Sequence, residues 1–260
     1  MKPRFLVFIP GYNCAPQIGQ VFEGLKSCEA LVDEVLFVEN RSQDSTLEVA
    51  LAARKSCQFE KLTILQNAEN YGLGGSHKVA FRYALERGFD YLIILHGDNQ
   101  ADPREVPLFI RQALENPGVD AVLGDRFSAG SKLLGYSKLR TYGNIGISWI
   151  YSLLTLQHVR DLGAGLNLIR VERLKTLDFE SCSDYCDFHT QLLLDMLRSH
   201  WFLRYQPITW KEEGQKSNIN PFVYGLTTLK ILLNWRFHRL RKSDFPKRQF
   251  NILQSASPDY

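Results

Sequence analysis

Five short apolar runs alternate with segments of helical period through the first 124 residues, and no other feature restricts the fold of this chain as much. The runs cover residues 4–10, 33–39, 61–66, 91–95 and 121–124. Each is rich in Val, Ile, Leu or Phe and stops at a polar or glycine-bearing turn, as buried strands do. Between them, residues 18–25 carry apolar side chains at helical spacing. Ser45-Thr46-Leu47-Glu48 reads as a capping box for a helix reaching about residue 56. A glycine-rich turn at 72–75 leads into a helix that stops near Arg87, with Gly88 placed as its C-cap. Asp102-Pro103-Arg104-Glu105 opens the next helix, with Asp as N-cap and Pro in the first position. A β-α-β-α-β-α-β-α-β order predicts an α/β fold, a doubly wound and mostly parallel sheet with helices on both faces.

The pattern changes after residue 124. Residues 125–137 read as a loop, 142–156 as an apolar helix, 166–170 as a strand, 187–198 as a helix and 202–209 as a strand. A polar loop over 211–220 precedes a long helix from Pro221 to about Leu240. The expected organisation is one domain over 1–240, in two halves meeting near 125, and a basic, then polar, mobile tail over 241–260. The net charge of +3 leaves no footprint for nucleic acid. The five cysteines are scattered without zinc spacing and read as reduced thiols of a cytosolic protein. No signal peptide and no apolar run of about 18 residues is visible, so a spanning helix is not expected.

Every distinctive polar cluster of the first half follows a predicted strand. These are Pro10-Gly11-Tyr12-Asn13, Glu39-Asn40-Arg41-Ser42-Gln43-Asp44, the stretch from Asn67 to Gly75, and His96-Gly97-Asp98-Asn99-Gln100. In a parallel sheet these four loops share one edge and line one crevice, the place where open α/β sheets bind ligands. Alternation puts His96, Asp98 and Gln100 on one side, where an imidazole, a carboxylate and an amide oxygen can hold a divalent cation. A strand ending in an ordinary polar turn would show similar residues. The turn at Gly72 lacks the third glycine of a dinucleotide fingerprint and follows the third strand, which argues against a nicotinamide cofactor.

In these motifs the chain resembles the family 2 glycosyltransferases of GT-A fold, especially their dolichyl- or polyprenyl-phosphate sugar synthase branch. Ile9-Pro10-Gly11-Tyr12-Asn13 is similar to that family's P-x-[YF]-N opening. Val38 to Thr46 is similar to its V-D-D-x-S-x-D-x-T segment, and Asn70 to Ala84 to its N-x-G-x-G-x-A helix start. The run from His96 to Pro103 is similar to D-x-D-x-Q-x-x-P, and Gly124-Asp125-Arg126 to the G-S-R segment. The resemblance, in order and spacing from about Phe5 to Trp235, implies an inverting hexosyltransferase. Residues 1–125 would then be the nucleotide-sugar-binding half and 126–240 the acceptor half. It places a nucleotide-sugar donor against Pro10, Tyr12, Asn13, Glu39, Asn40, Asn70, Gly72, Gly97, Asp98 and Arg126. Mg²⁺ or Mn²⁺ would sit on Asp98, His96 and Gln100, neutralising charge on the leaving diphosphate.

Two departures bear on this reading. The acidic pair after strand two is Glu39-Asn40, and Asn both donates and accepts. The first acid of D-x-D is His96, a poorer ligand for hard cations. Asp184 and Asp187 are the candidates for a general base, and either equally suits an N-cap. A phosphate acceptor is already ionised and needs no base. Arg140, Lys211, Lys216 and Ser217 loosely match an acceptor-phosphate site. The acceptor is a lipid phosphate, or a glycan in capsule, lipopolysaccharide or other cell-surface polysaccharide biosynthesis. The helices at 142–156 and 221–240 read either as sheet-packed or as interfacial, the second being followed by Arg236, His238, Arg239, Arg241 and Lys242. The expected location is cytoplasmic, with a peripheral contact on the cytoplasmic membrane face. Whether the chain is a homo-oligomer stays open. Two other classes compete. A sugar nucleotidyltransferase would carry a glycine-rich loop and a basic residue after the first strand, both missing at Gly11-Tyr12-Asn13-Cys14. A catalytically inactive nucleotide-sugar-binding module is suggested by His96 and Asn40.

Overall fold

The computed structural model describes residues 2–56, 61–212, 221–237 and 248–255, with the backbone alone at 55–56, 221–224 and 254. Its first half follows the alternation: β1 (Phe5–Gly11), α1 (Ala15–Leu25), β2 (Glu34–Glu39), α2 (Thr46–Ser56), β3 (Leu62–Asn67), α3 (Gly72–Glu86), β4 (Tyr91–Leu95), α4 (Val106–Glu115) and β5 (Ala121–Asp125). The second half holds β6 (Lys132–Leu134), α5 (Lys138–Thr155), β7 (Leu166–Arg170), α6 (Val171–Leu174), α7 (Phe188–Arg198), β8 (Leu203–Pro207), β9 (Thr209–Lys211), α8 (Pro221–Arg236) and β10 (Phe250–Gln254).

Eight strands form one sheet in the order β10-β3-β2-β1-β4-β7-β5-β8. Pairing is parallel except at β7, antiparallel to both β4 and β5, and at β10, antiparallel to β3. Every residue of β1, β2, β4 and β5 is buried, which is why these strands read as unbroken apolar runs. Period-two alternation still sorts them. Phe5, Val7 and Ile9 enter the core under α1, α2 and α4, whereas Leu6 and Phe8 enter the core under α3, α5, α7 and α8. The doubly wound, mostly parallel α/β sheet expected from the sequence is the one observed.

Several local expectations change. The first turn of α2 is capped by Asp44, whose Oδ1 accepts from the Thr46 backbone N–H at 3.0 Å, rather than by a Ser45–Glu48 box. Asp102 does cap as expected, accepting from the Arg104 backbone N–H, although a 3₁₀ turn precedes α4. Gly88 follows α3 with φ +66°, the left-handed geometry of a helix stop. The run at 202–209 is two strands, β8 in the large sheet and β9 in a two-stranded ribbon with β6. The stretch expected to be a mobile tail contains β10, which extends the β3 edge. Residues 241–247 and 256–260 of that stretch lie outside the described residues. Among the described residues, no helix is long and apolar enough to cross a membrane.

Candidate active site

The C-terminal ends of β1, β2 and β4 and the start of α3 enclose a cleft of about 340 Å³. Its walls are Pro10, Gly11, Tyr12, Cys14, Asn40, Asn70, Gly72, Leu73, Ser76, His96, Gly97 and Asp98. Seven of the ten expected donor residues therefore meet in one place: Pro10, Tyr12, Asn40, Asn70, Gly72, Gly97 and Asp98. Tyr12 stands at the rim, 45% exposed.

The loops are tied to one another before any ligand arrives. Asn13, at φ +50°, accepts from the Gln43 N–H at 2.7 Å and donates its own N–H to Ser42 Oγ at 3.1 Å. It thus joins the loops after β1 and β2 and is not part of the cleft wall. Glu39 is buried; it accepts from the Ser42 N–H at 2.5 Å and from Gln66 Nε2 at 2.9 Å. Asn40 uses both halves of its amide. Oδ1 accepts from Asn67 Nδ2 (2.8 Å) and the Tyr71 N–H (2.9 Å), while Nδ2 donates to Asn70 Oδ1 (2.9 Å) and the Gly72 carbonyl (3.3 Å). A carboxylate could not make the last two bonds.

Asp98 accepts the Gln100 N–H at 3.1 Å, a turn that holds its carboxyl at the cleft, and burial pushes its pKa above the usual carboxylate value. His96 borders the cleft but packs on His77 and His189 at ring centroid distances of 6.0 and 5.4 Å. Burial and the Arg126 charge push its pKa down to about 4. The Gln100 carbonyl accepts from the Lys211 N–H at 2.8 Å, which links the Asp98 loop to the β6–β9 ribbon.

Arg126 does not border the cleft. Its guanidinium makes two 2.7 Å bonds to Asp161 and stacks near Trp210 and Phe127. Asp184 joins Lys78 Nζ at 2.8 Å and Arg248 through its other oxygen. Its backbone oxygen accepts from the Gly74 N–H at 2.8 Å. Asp187 stands at the N-cap of α7 without capping it; its oxygens accept from Ser183 Oγ (2.6 Å) and Gln191 Nε2 (2.9 Å). Arg140 pairs with Glu212 through two 2.7 Å contacts. Lys216 and Ser217 lie outside the described residues.

Sequence reasoning missed Cys14 and Ser76 in the cleft wall, and it missed the fully buried Lys78. The signal was present in Ser76-His77-Lys78, three polar residues in succession near the start of a helix, all of them buried.

Residues 6–181 match the family model described as glycosyl transferase family 2. The chain is similar to an undecaprenyl-phosphate mannosyltransferase of Micrococcus luteus, 28% identical over 182 residues, 68% of this chain and 71% of that protein. It is also similar to a UDP-N-acetylglucosamine–dolichyl-phosphate N-acetylglucosaminyltransferase of Methanococcus voltae, 24% identical over 195 residues, 68% of this chain and 76% of that one. Glucosyl-3-phosphoglycerate synthase of Mycobacterium tuberculosis, in complex with Mn²⁺, UDP-glucose and phosphoglyceric acid, shares the fold. Its TM-score is 0.68 at 16% identity, over 90% of this chain and 80% of that one.

Proposed function

This chain belongs to glycosyl transferase family 2, and from that premise we propose that it moves a sugar, with inversion, from a nucleoside-diphosphate sugar to a polyprenyl phosphate. The observation that carries the reading is the cleft at the C-terminal strand edge, where Tyr12, Asn40, Gly72 and Asp98 converge from four separate segments. The two relatives named for polyprenyl- or dolichyl-phosphate transfer support the acceptor class.

The carboxylates support it independently. Asp184 has an oxygen on each of two cations, and Asp187 accepts from a serine and a glutamine. Neither borders the cleft. A hydroxyl acceptor needs a base to take its proton, whereas a phosphate monoester arrives ionised and needs none. An acceptor tail also needs an apolar surface. On α5, Tyr142, Trp149 and Leu153 fall at helical spacing, Leu156 follows as the C-cap, and all four are more than 70% exposed. Such a face suits the acyl boundary of a membrane, with the protein peripheral to it.

A divalent cation fits the cleft through Asp98. Burial has raised the pKa of this carboxyl, and a neighbouring cation offsets that desolvation. Asp98 would hold Mg²⁺ or Mn²⁺, and when bound the ion would neutralise charge growing on the leaving nucleoside diphosphate. The solved synthase of the same fold, which was crystallised with Mn²⁺ and UDP-glucose, supports the use of a divalent cation. Asn40 and Asn13 hold the three donor loops in register, Tyr12 offers a ring at the rim, and Gly72, at φ +71°, leaves room for the backbone carbonyl of Asp184.

The test has two parts. Thermal unfolding is followed with UDP, GDP, CDP and dTDP, each with and without Mn²⁺, on wild type and Asp98→Ala. A metal-dependent rise with one nucleotide, lost in the variant, is expected. Radiolabelled sugar is then offered with polyprenyl phosphate in detergent. Label in the lipid phase supports the acceptor reading, and label only on added glycan overturns it.

A further inference from the structure

His77 on the second turn of α3, His96 just beyond β4 and His189 on the first turn of α7 come from three separate segments and meet at one point. One ring nitrogen of each lies within 4.8 Å of the other two. The Nε2 atoms of all three are buried and have no hydrogen-bond partner. Buried polar atoms are nearly always paired, so three orphans in one cluster call for an occupant. The rings do not satisfy each other, since none of the three Nε2 atoms has a hydrogen-bond contact.

The tautomer of His77 is set by its surroundings. Its Nδ1 lies 2.8 Å from the Leu73 carbonyl oxygen, so the proton sits on Nδ1 and the Nε2 lone pair points inward. That is the arrangement in which a ligating histidine is held by a backbone carbonyl. Burial keeps all three rings in the neutral form that a metal needs. Phe8 and Phe188 pack on His77 at 5.0 and 5.3 Å and make an apolar shell.

We propose that His77, His96 and His189 bind one divalent transition cation of the zinc class, at a site distinct from the cation of the donor cleft. Nitrogen-only ligation selects Zn²⁺, Co²⁺, Ni²⁺ or Cu²⁺ over Mg²⁺ and Ca²⁺, which prefer oxygen. A tetrahedral ion about 2.1 Å from each nitrogen needs them about 3.4 Å apart, so loading closes separations of up to 4.8 Å by as much as about 1.4 Å. The ion leaves a fourth position open and ties α3, β4 and α7 together directly behind the cleft, since His96 borders both.

Metal-stripped full-length protein is titrated with Co²⁺ in the absence of nucleotide and followed by visible absorption. The expected result is one equivalent bound with the intense bands of a four-coordinate ion, retained in Asp98→Asn and lost in His189→Gln and His96→Gln. If those variants fail to fold, wild-type melting decides: Zn²⁺ raises it by several degrees, Mg²⁺ does not, and chelator reverses the rise. Only a weak six-coordinate spectrum with no Zn²⁺ shift overturns the site. So do bands that disappear in Asp98→Asn and survive in the histidine variants.

Discussion

Asn40 departs from the acidic residue that the resembled family carries at its position, and its four hydrogen bonds account for the departure. Asn40→Asp would keep the two accepted bonds, lose both donated ones, and set a carboxylate against Asn70 Oδ1 and the Gly72 carbonyl. The expected cost is about 2–3 kcal/mol, the penalty of leaving buried partners unpaired. Urea unfolding would show a lower midpoint at unchanged slope. Nucleotide affinity should fall rather than rise, although the substitution restores the acidic pair. Lys78→Met tests the buried ion pair, because it leaves buried Asp184 with Arg248 alone. Breaking such a pair costs about 3–5 kcal/mol, readable in the same experiment. At this scale the sequence exposed the residues that sit at strand ends, since an apolar run stopping at Asp98 or Pro10 marks itself. It did not expose partners. Arg126 finds Asp161 at 35 positions' separation and Lys78 finds Asp184 at 106, distances over which no local pattern links two charges.

Elements were legible in proportion to their burial. The parallel strands announce themselves because both of their faces are apolar, whereas β6 and β9 are three residues each and only partly buried. β7 reads as a strand, but nothing in its sequence says that it inserts between β4 and β5. β10, Phe-Asn-Ile-Leu-Gln, was hidden by its shortness and by the basic and polar residues around it, which an edge strand tolerates. The outward face of α5 was open to two readings, and its exposure now gives a direct experiment. Trp149→Ser with Leu153→Ser should leave the melting temperature within about a degree, as exposed substitutions usually do. Partition onto anionic vesicles should drop at least about tenfold, since each large apolar side chain removed from lipid forfeits about 1.5–3 kcal/mol. Unchanged vesicle binding would separate α5 from the membrane. The junction of α3 and α7 is tighter. A Cβ at Gly74 would lie 2.8 Å from the Phe188 Cβ and press on the Ser183 carbonyl. Gly74→Ala should therefore cost about 1–3 kcal/mol by overpacking.

The whole molecule carries its histidines unevenly. His77, His96 and His189 all lie on the α3–α7 side of the sheet, and burial pushes each pKa down, to about 4 for His96 and about 3 for His189. In the unfolded chain they titrate near 6.5. Between those values the unfolded state binds protons that the folded state excludes, so stability rises with pH across the window and is lost as pH falls through it. Above about pH 6.5 the contribution is complete and stability is flat. Below it, three imidazoles acting together give a slope of up to about 4 kcal/mol per pH unit. Burial lifts the Asp98 and Glu105 carboxyls, and this opposes the loss at the acid end of the window. Against a total of about 5–15 kcal/mol for a domain, such a slope predicts acid unfolding well above the carboxylate range. The measurement is urea unfolding from pH 7.5 to 4.5 in the presence of chelator, so that no ion competes with protons for the ring nitrogens. His77→Gln should remove about a third of the slope without moving its upper edge. A profile that stays flat to the carboxylate range would mean that the rings protonate in the folded state and that the apolar side of the sheet opens to admit water.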